Sequence, residues 1–417
     1  MEENINRRNN LIELMDENSA AIIFSGVSKI TSEDEFYPFV VNRHFYYLTN
    51  ITQENSVLLI VKGIGETKTY LFIDEYNELK EKWTGKRLTD EEASELSSIN
   101  NIQHTQNFET FYNLALTDIN NQYGKINKLY LDFSPELKIG EETSVHDFNE
   151  KMMKEFPHLN IENVYPLITS LRMKKSEWEV EQLREAIKLT NMGIEHLLTK
   201  LKDGLYEYEL ASIFSHFGMM HGRHQLSFDT IVASGKSATV LHYPQQTRKI
   251  NMEDMVLFDL GFESNLYCAD ISRTYPVNGI FSELERKIYQ SVLNCNKAVI
   301  EYARVGLTLK DLQEFSMEFL KNECVRNGLL KPEDDIRRVY YHGISHHLGL
   351  DTHDVSERGK PLEVGNVITV EPGLYFKEYN IGVRIEDDIL ITPTKAEVLS
   401  KDIAKEIDEI ERMMKNQ

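Results

Sequence analysis

The sequence MVLFDLGFESNLYCADISRT, residues 255–274, contains two apolar, β-prone runs, and each run has an aspartate in its interior. The short polar segment between the runs predicts a tight antiparallel hairpin in which Asp259 lies directly opposite Asp270. Directly opposed residues have Cβ atoms about 5 Å apart. Two carboxylates so close in buried strands need a positive partner. A metal ion is one candidate for that partner, and an arginine such as Arg273 is the other.

Two further segments place acids on strands. The segment NVITVEPG, residues 366–373, is β-branched and ends on Glu371 before a Pro-Gly break. The segment IGVRIEDDIL, residues 381–390, predicts one continuous strand in which Arg384, Glu386 and Asp388 share a face. A single acid on a strand can simply face solvent. Four acids on strands, together with a histidine cluster, indicate a common site.

The histidine cluster is HGISHHLGLDTHD, residues 342–354, which contains four of the thirteen histidines of the chain. Imidazole is the commonest metal ligand among side chains and a proton carrier near neutral pH. The alternative is a histidine-rich loop of incidental composition. His242, in Leu-His-Tyr-Pro, is by itself more typical of a hydrogen-bonded structural histidine than of a site residue. An oxygen-rich ligand set suits manganese, cobalt or zinc better than copper.

The chain predicts two domains, 1–165 and 166–417. In the first, buried strands at 20–24, 55–61, 69–73 and 129–132 alternate with polar helices, which favours a sheet covered by helices. A helix is predicted at 8–17, and the aromatic segment 42–49 is β-prone. The second domain begins near a capping box at Ser176–Glu179, which predicts the start of a long helix. The fold class is therefore α+β.

Composition excludes several classes of function. The net charge of −21 argues against non-specific binding to nucleic acids and against docking on anionic membranes. Three cysteines provide neither a disulfide framework nor a zinc knuckle. No N-terminal signal peptide and no apolar run long enough to cross a bilayer is recognisable. We therefore expect a soluble cytoplasmic protein with no nucleic-acid or membrane partner.

Trp83 lies in the segment EKWTGKR, residues 81–87, among charged and small neighbours. A lone tryptophan is usually part of a core, and that interpretation is favoured by the residues alone. An exposed tryptophan that docks on another surface is the alternative.

These motifs resemble the pita-bread metallopeptidases, the superfamily of creatinase, prolidase and methionine aminopeptidase, and most closely its aminopeptidase P branch. The resemblance covers nearly the whole chain. It implies an N-terminal creatinase/prolidase-type α/β domain, for oligomerisation and substrate access, followed by a C-terminal pita-bread metallopeptidase domain. It also implies two divalent metal ions, Mn²⁺ in the first place and Co²⁺ or Zn²⁺ as alternatives. The implied metal ligands are Asp259, Asp270, His346, Glu371 and Glu386.

The resemblance assigns outer residues as well. It implies catalytic roles for Glu371, His353, His242, His342 and Arg384. It implies substrate contacts by His242, His342, His353, Tyr375 and Trp83. Trp83 resembles a tryptophan that reaches the active site of a neighbouring subunit, which implies a homodimer or a higher homo-oligomer. His347 receives no role.

The implied function is hydrolysis of the N-terminal Xaa-Pro bond of peptides by a hydroxide that bridges the two metal ions. The first alternative is a prolidase, which accepts only Xaa-Pro dipeptides and shares the same ligands. The second is metal-free C–N hydrolysis of the creatinase type, although that relative lacks the full ligand set. The third is an inactive peptide- or partner-binding module, although such proteins typically lose ligands and none is missing here.

Overall fold

The computed structural model describes residues 2–117, 122–134, 144–223 and 225–415. The chain divides into two compact units, Met1–Arg172 and Met173–Gln417. The predicted domain boundary at 165 falls at the first residue of the last helix of the first unit. In the described ranges, no helix is long and apolar enough to cross a membrane. Both units combine helices with strands, and the predicted α+β class is confirmed.

The first unit consists of a mixed sheet with helices packed on it. Its described helices are α1 (Glu2–Leu14), α2 (Arg43–Thr49), α3 (Glu78–Thr84), α4 (Asp90–Ser97), α5 (Phe108–Leu116), α6 (Ser144–Glu155) and α7 (Tyr165–Arg172). Its described strands are β1 (Ser19–Phe24), β2 (Ile30–Ser32), β3 (Glu35–Phe36), β4 (Val57–Lys62), β5 (Thr67–Ile73), β6 (Ile102–His104), β7 (Lys128–Leu131) and β8 (Asn160–Asn163).

The main sheet of this unit has the strand order β6-β5-β4-β1-β7-β8. Strands β4 and β5, which correspond to the strands predicted at 55–61 and 69–73, pair as an antiparallel hairpin. The central strand β1 pairs antiparallel with β4 and parallel with β7, so that Ile22 faces both Leu59 and Leu131. Because both faces of these strands are covered, they are apolar without alternation.

The segment predicted to be β-prone at 42–49 is a helix, α2, so that expectation was wrong. Asn42 caps it, since its side chain accepts a hydrogen bond from Phe45 N at 2.9 Å. Residues 44–49 are all buried, and a continuous apolar run has no periodicity that separates a helix from a strand. Helix α1 also begins at Glu2 and ends at Leu14, rather than spanning 8–17. Its Arg8 donates to Leu48 O at the end of α2.

Replacing Asn42 with alanine is expected to lower the free energy of unfolding by about 1 kcal/mol, because helix α2 loses its N-cap. The same substitution removes a hydrogen bond from Asn42 Nδ2 to the buried Asp132. Asn107 is the matched control, because it precedes α5 but makes no capping side-chain hydrogen bond. Denaturant unfolding of the two alanine variants measures the difference. Equal stabilities would contradict the assigned role of Asn42.

Trp83 lies near the end of α3, and its side chain is 85% exposed. The core interpretation favoured by the residues alone was therefore wrong. Its contact with a neighbouring subunit stays a prediction.

The second unit contains several small sheets and long helices. Its described helices are α8 (Glu177–Leu198), α9 (Glu207–Met220), α10 (Glu283–Tyr302), α11 (Leu309–Arg326) and α12 (Ile407–Lys415). Its described strands are β9 (Ile231–Ser234), β10 (Met255–Leu260), β11 (Glu263–Ser264), β12 (Tyr267–Cys268), β13 (Ile271–Pro276), β14 (Val367–Val370), β15 (Gly373–Phe376), β16 (Ile381–Arg384), β17 (Asp387–Ile391) and β18 (Ala396–Val398). The predicted capping box at Ser176 opens α8.

Strands β10 and β17 are the central strands of the two described three-stranded sheets of this unit. Strands pair in the orders β13-β10-β9, β14-β17-β18, β15-β16 and β11-β12. Helices α8 and α9 pack on β9, β11 and β12, whereas α10 packs on β14, β15 and β16. Two hydrogen bonds, from Glu386 N to Ser272 O and from Arg384 N to Thr274 Oγ1, join β13 to the strands that follow residue 381.

The predicted register of the 255–274 hairpin was wrong by two residues. Asp259 faces Ser272, and Asp270 lies just before β13. Asn265 and Leu266 both have positive φ angles, 47° and 64°, which gives a two-residue turn instead of a four-residue one. Because the shift is two residues, the side chains at 259 and 270 keep the same side of the hairpin.

The predicted continuous strand at 381–390 is interrupted. Ile385 and Glu386 separate β16 from β17, and the two strands belong to different sheets. This break places Glu386 at the point where the chain passes from one sheet to the next.

Candidate metal centre

Three potential ligands meet in the second unit. One ligand atom each from Asp270, His346 and Glu386 lies within 4.8 Å of the others. His346 Nε2 is 3.3 Å from Asp270 Oδ2. His346 Nδ1 donates to His347 O at 3.0 Å, which leaves Nε2 directed at the carboxylates.

Hydrogen bonds of the backbone and of side chains fix the positions of Asp270 and Glu386. Ser272 Oγ donates to Glu386 Oε2 at 2.8 Å, and Ser272 O accepts from Glu386 N. Just before β13, Asp270 N donates to Oδ2 of Asp388, a residue of β17, at 3.2 Å. Asp270 and Glu386 therefore approach each other because the chain segments around β13 and β17 are hydrogen bonded.

Glu371 extends the group. It follows β14 directly, and its backbone N donates to Ile344 O. Its Oε1 lies 3.6 Å from His346 Nε2, and its Oε2 lies 3.6 Å from His342 Nδ1. The Pro-Gly break noted in the sequence therefore ends the strand where the glutamate reaches the histidines.

Asp259 lies one residue before the end of the buried strand β10. Arg384 Nη2 donates to its Oδ2, while its Oδ1 is buried and has no hydrogen-bond partner among the described residues. The alternative to a metal ion was an arginine such as Arg273, and the arginine that contacts Asp259 is Arg384 instead. Arg273 is fully buried and pairs with Asp387 at 2.8 Å.

Burial makes the carboxylates hard to ionise in the metal-free protein. Burial raises the pKa of Glu371 to about 7, and it raises the pKa of Asp270 and of Glu386 above the usual range. Burial lowers the pKa of His346, but the hydrogen bond to Asp270 and the charges of Asp270 and Glu371 outweigh it and bring this pKa to about 9. The site therefore retains protons that a cation would displace.

The donor set fits divalent metal ions. Three acids and one imidazole lie together. Asp259, which Arg384 contacts, is near enough for its charge to contribute to the raised pKa of Glu371 and of Glu386. A buried carboxylate oxygen without a partner, as at Asp259, is unfavourable unless a cation or substrate group occupies the space beside it. Oxygen ligands with one imidazole suit manganese, cobalt or zinc. Asp270, His346 and Glu386 would hold such an ion, with Asp259 and Glu371 at the same site.

Metal binding is expected to release protons, because the bound ligands must be deprotonated. The apparent affinity should increase by about tenfold per pH unit for each proton released between pH 6 and 8. Calorimetry of Mn²⁺ binding in two buffers with different ionisation enthalpies measures the number of protons. Identical heats in both buffers would contradict the raised pKa of Glu371.

His342 is held in one neutral form. Its Nδ1 donates to Gly343 O at 2.7 Å, and its Nε2 accepts from Tyr375 OH at 2.8 Å. Arg384 Nη1 donates to the same Tyr375 hydroxyl at 3.2 Å. Burial, followed by the charge of Arg384, lowers the pKa of His342 to about 3. The family resemblance implied site roles for His342, Tyr375 and Arg384, and in the structure these three residues form one hydrogen-bonded chain.

His353 and His242 lie close to these groups. The rings of His353 and His346 are 4.3 Å apart. Burial lowers the pKa of His353, and the nearby His346 and His242 contribute to that shift. His242 is exposed on the loop after the 3-10 helix Gly235–Thr239. The roles of both histidines stay predictions, as does the substrate contact of Trp83, which belongs to the other unit.

Three further side chains hydrogen bond to the candidate ligands, and two of them, Ser272 and Thr369, were not predicted from the sequence. Ser272 binds Glu386, and Thr369 Oγ1 accepts from His346 N at 3.1 Å. Asp388 Oδ2 accepts a hydrogen bond from Asp270 N. The sequence predicted only that Asp388 shares a strand face with Glu386. Ser272 and Thr369 each stand two residues from a ligand, on the same side of the chain, and this spacing was the available signal.

Family models match both parts of the chain. Residues 181–393 match the model of metallopeptidase family M24, and residues 5–123 match the aminopeptidase P N-terminal domain. A Xaa-Pro aminopeptidase of Haemophilus influenzae is 32% identical, with 98% of this chain and 96% of that protein covered.

Solved structures are also similar. Zinc-substituted Escherichia coli aminopeptidase P in complex with product is 30% identical with a TM-score of 0.89, covering 100% of this chain and 98% of that chain. A Bacillus anthracis chain described as a candidate aminopeptidase P is 40% identical with a TM-score of 0.95, again covering 100% and 98%.

Proposed function

Because the chain belongs to metallopeptidase family M24 and carries the aminopeptidase P N-terminal domain, we propose that it is a metallo-aminopeptidase that hydrolyses the N-terminal Xaa-Pro bond of peptides. The observation that carries this proposal is the convergence of Asp270, His346 and Glu386, with Glu371 beside them. We further propose that the site holds two divalent ions, Mn²⁺ in the first place, with Asp259, Asp270, His346, Glu371 and Glu386 as ligands.

When bound, the metal ions would polarise the scissile carbonyl and provide a strong nucleophile from water at neutral pH. Glu371 is the proton carrier. Its carboxylate accepts a proton from the attacking water and delivers it to the proline nitrogen as that nitrogen leaves.

Other side chains bind the peptide. Asp259 Oδ1, which is buried without a partner among the described residues, accepts a hydrogen bond from the free α-amine. His353, beside His346, donates to the oxygen of the carbonyl as negative charge develops. His242 and the neutral His342 contact the proline residue, and Tyr375 holds His342 in place.

The alternatives have less support. The relatives reported above are Xaa-Pro aminopeptidases, and the prolidase alternative has no support from them. Metal-free hydrolysis of the creatinase type conflicts with a complete set of ligand residue types. An inactive binding module would not need the buried acids, which are costly to keep in a protein that binds no metal ion. We also propose a homo-oligomer through the surface that includes the exposed Trp83, acting in the cytoplasm.

A peptide panel tests the proposal. Metal-free protein is incubated with Mn²⁺, Co²⁺ or Zn²⁺ and with Xaa-Pro-Yaa, Xaa-Ala-Yaa and Xaa-Pro peptides, and products are identified by mass spectrometry. We expect metal-dependent release of the first residue from Xaa-Pro-Yaa and little release from Xaa-Ala-Yaa. Cleavage of the dipeptide alone would favour prolidase, and no cleavage with any metal would favour the inactive module.

A further inference from the structure

A buried ion pair lies behind the histidines of the metal centre. Lys175 Nζ is 2.8 Å from Asp354 Oδ2, and each side chain is 1% exposed. The two residues are 179 positions apart in the sequence. Removing two charges from water is costly, so such a pair is weak evidence for a role in stability alone.

The pair acts on one short loop, residues 346–354, which we call the histidine loop. His347 O accepts two hydrogen bonds, from His346 Nδ1 at 3.0 Å and from Asp354 N at 2.8 Å. A single carbonyl therefore fixes both the imidazole of His346 and the backbone that follows His353. Asp354 therefore links Lys175 to this carbonyl, because its side chain pairs with Lys175 and its backbone N donates to His347 O.

The rest of the loop is fitted around the pair. A Cβ atom on Gly349 would lie 2.2 Å from Asp354 Oδ2 and 2.9 Å from Lys175 Cε, so a side chain there would displace the ion pair. Lys175 is fixed in turn, because its backbone N donates to Gly365 O at 2.8 Å. On the other side of His353, Thr352 Oγ1 donates to Ser227 O at 3.0 Å.

We propose that Lys175 is a positioning residue for the reaction, which through Asp354 sets the placement of His353 against His346. His353 lies between two fixed neighbours, Thr352 and Asp354, and its ring packs on His346. The placement of His353 can be tested without measuring any activity. The effect of that placement on catalysis rests on the proposed peptidase function.

The test uses Lys175→Met, Lys175→Arg and a control, Arg184→Met. Arg184 pairs with Glu397 at 2.8 Å in a partly exposed position of the same unit. The first readout is the NMR signals of the histidine imidazoles in the metal-free full-length protein. We expect Lys175→Met to shift the signals of His353 and His346, Lys175→Arg to restore them in part, and Arg184→Met to leave them unchanged.

The second readout is kinetic. With metal bound, Lys175→Met is expected to lower kcat by about 10- to 100-fold, the range found when groups that orient metal-site histidines are lost. KM should change less than kcat, because the placement of His353 matters most in the transition state. Unchanged histidine signals, or a kcat loss explained entirely by the unfolded fraction, would overturn the proposal.

A double variant covers the case in which Lys175→Met does not fold. Lys175→Met/Asp354→Leu replaces the pair with apolar side chains, which buried ion pairs often tolerate. Shifted His353 signals in the folded double variant support the proposal, and wild-type signals reject it. Absence of peptidase activity in the wild-type protein would instead reject the proposed function, while the metal-free NMR comparison still decides the role of Lys175.

Discussion

Replacing Glu371 with glutamine is expected to lower kcat by about 10²- to 10⁴-fold, the range typical for loss of a general acid–base group. The amide preserves the shape of the side chain but cannot accept and return a proton. Because Glu371 lies 3.6 Å from both His346 and His342, its loss also removes a negative charge from a site that holds several histidines. Steady-state kinetics on a Xaa-Pro-Yaa peptide measures the effect.

Glu363→Gln is the matched control. Glu363 lies outside the metal centre, where it pairs with Lys174 and is partly exposed. This variant should retain wild-type kcat and wild-type metal content. A Glu371→Gln enzyme with wild-type kcat would show that another group carries the proton.

The second large effect is expected at Asp270. Asp270→Asn should weaken metal binding by more than about 100-fold, because loss of an outer partner of a metal ligand alone costs up to that factor. In the metal-free protein the substitution should change the stability less than it changes metal binding, because two effects oppose each other. Burial and, after it, the charge of Asp270 raise the pKa of Glu386 and of Asp388, so removal of that charge relieves repulsion among buried acids, but it also removes the attraction between Asp270 and His346.

Thermal unfolding with and without metal separates these effects. At a metal concentration of 100 times Kd, the wild-type protein should gain about 2.7 kcal/mol, and Asp270→Asn should gain almost nothing. Asp203→Asn, at an exposed position, serves as the control. If Asp270→Asn gained as much stability from metal as the wild type, Asp270 would not be a ligand.

Much of the site was predictable because acids inside apolar strands are unusual. Asp259, Asp270, Glu371 and Glu386 were noticed by that pattern, and the family resemblance then implied their role as ligands. In the structure Asp270 and Glu386 approach His346 together, and the charge of Asp259 acts on Glu371 and Glu386. The hairpin error left this conclusion intact, since a two-residue shift preserves the side of each strand. The positive φ angles at Asn265 and Leu266 could not be foreseen, because leucine seldom adopts that conformation.

Other features depend on contacts that local sequence does not encode. The aromatic segment 42–49 gave no periodicity, and burial on all sides made a helix and a strand equally compatible with it. Arg273 pairs with Asp387, whereas the arginine that contacts Asp259 is Arg384 at the end of β16, a strand of another sheet. The Lys175–Asp354 pair joins positions 179 residues apart and has no local signature.

The most direct test of the central claim is a metal titration of the metal-free protein, with bound Mn²⁺ per chain and cleavage of a Xaa-Pro-Yaa peptide measured on the same samples. The carboxylate-rich centre predicts no cleavage without metal, a rise in activity as metal binds, and saturation at about two ions per chain. Full activity in the metal-free protein, or saturating metal without any cleavage of the peptide, would contradict it.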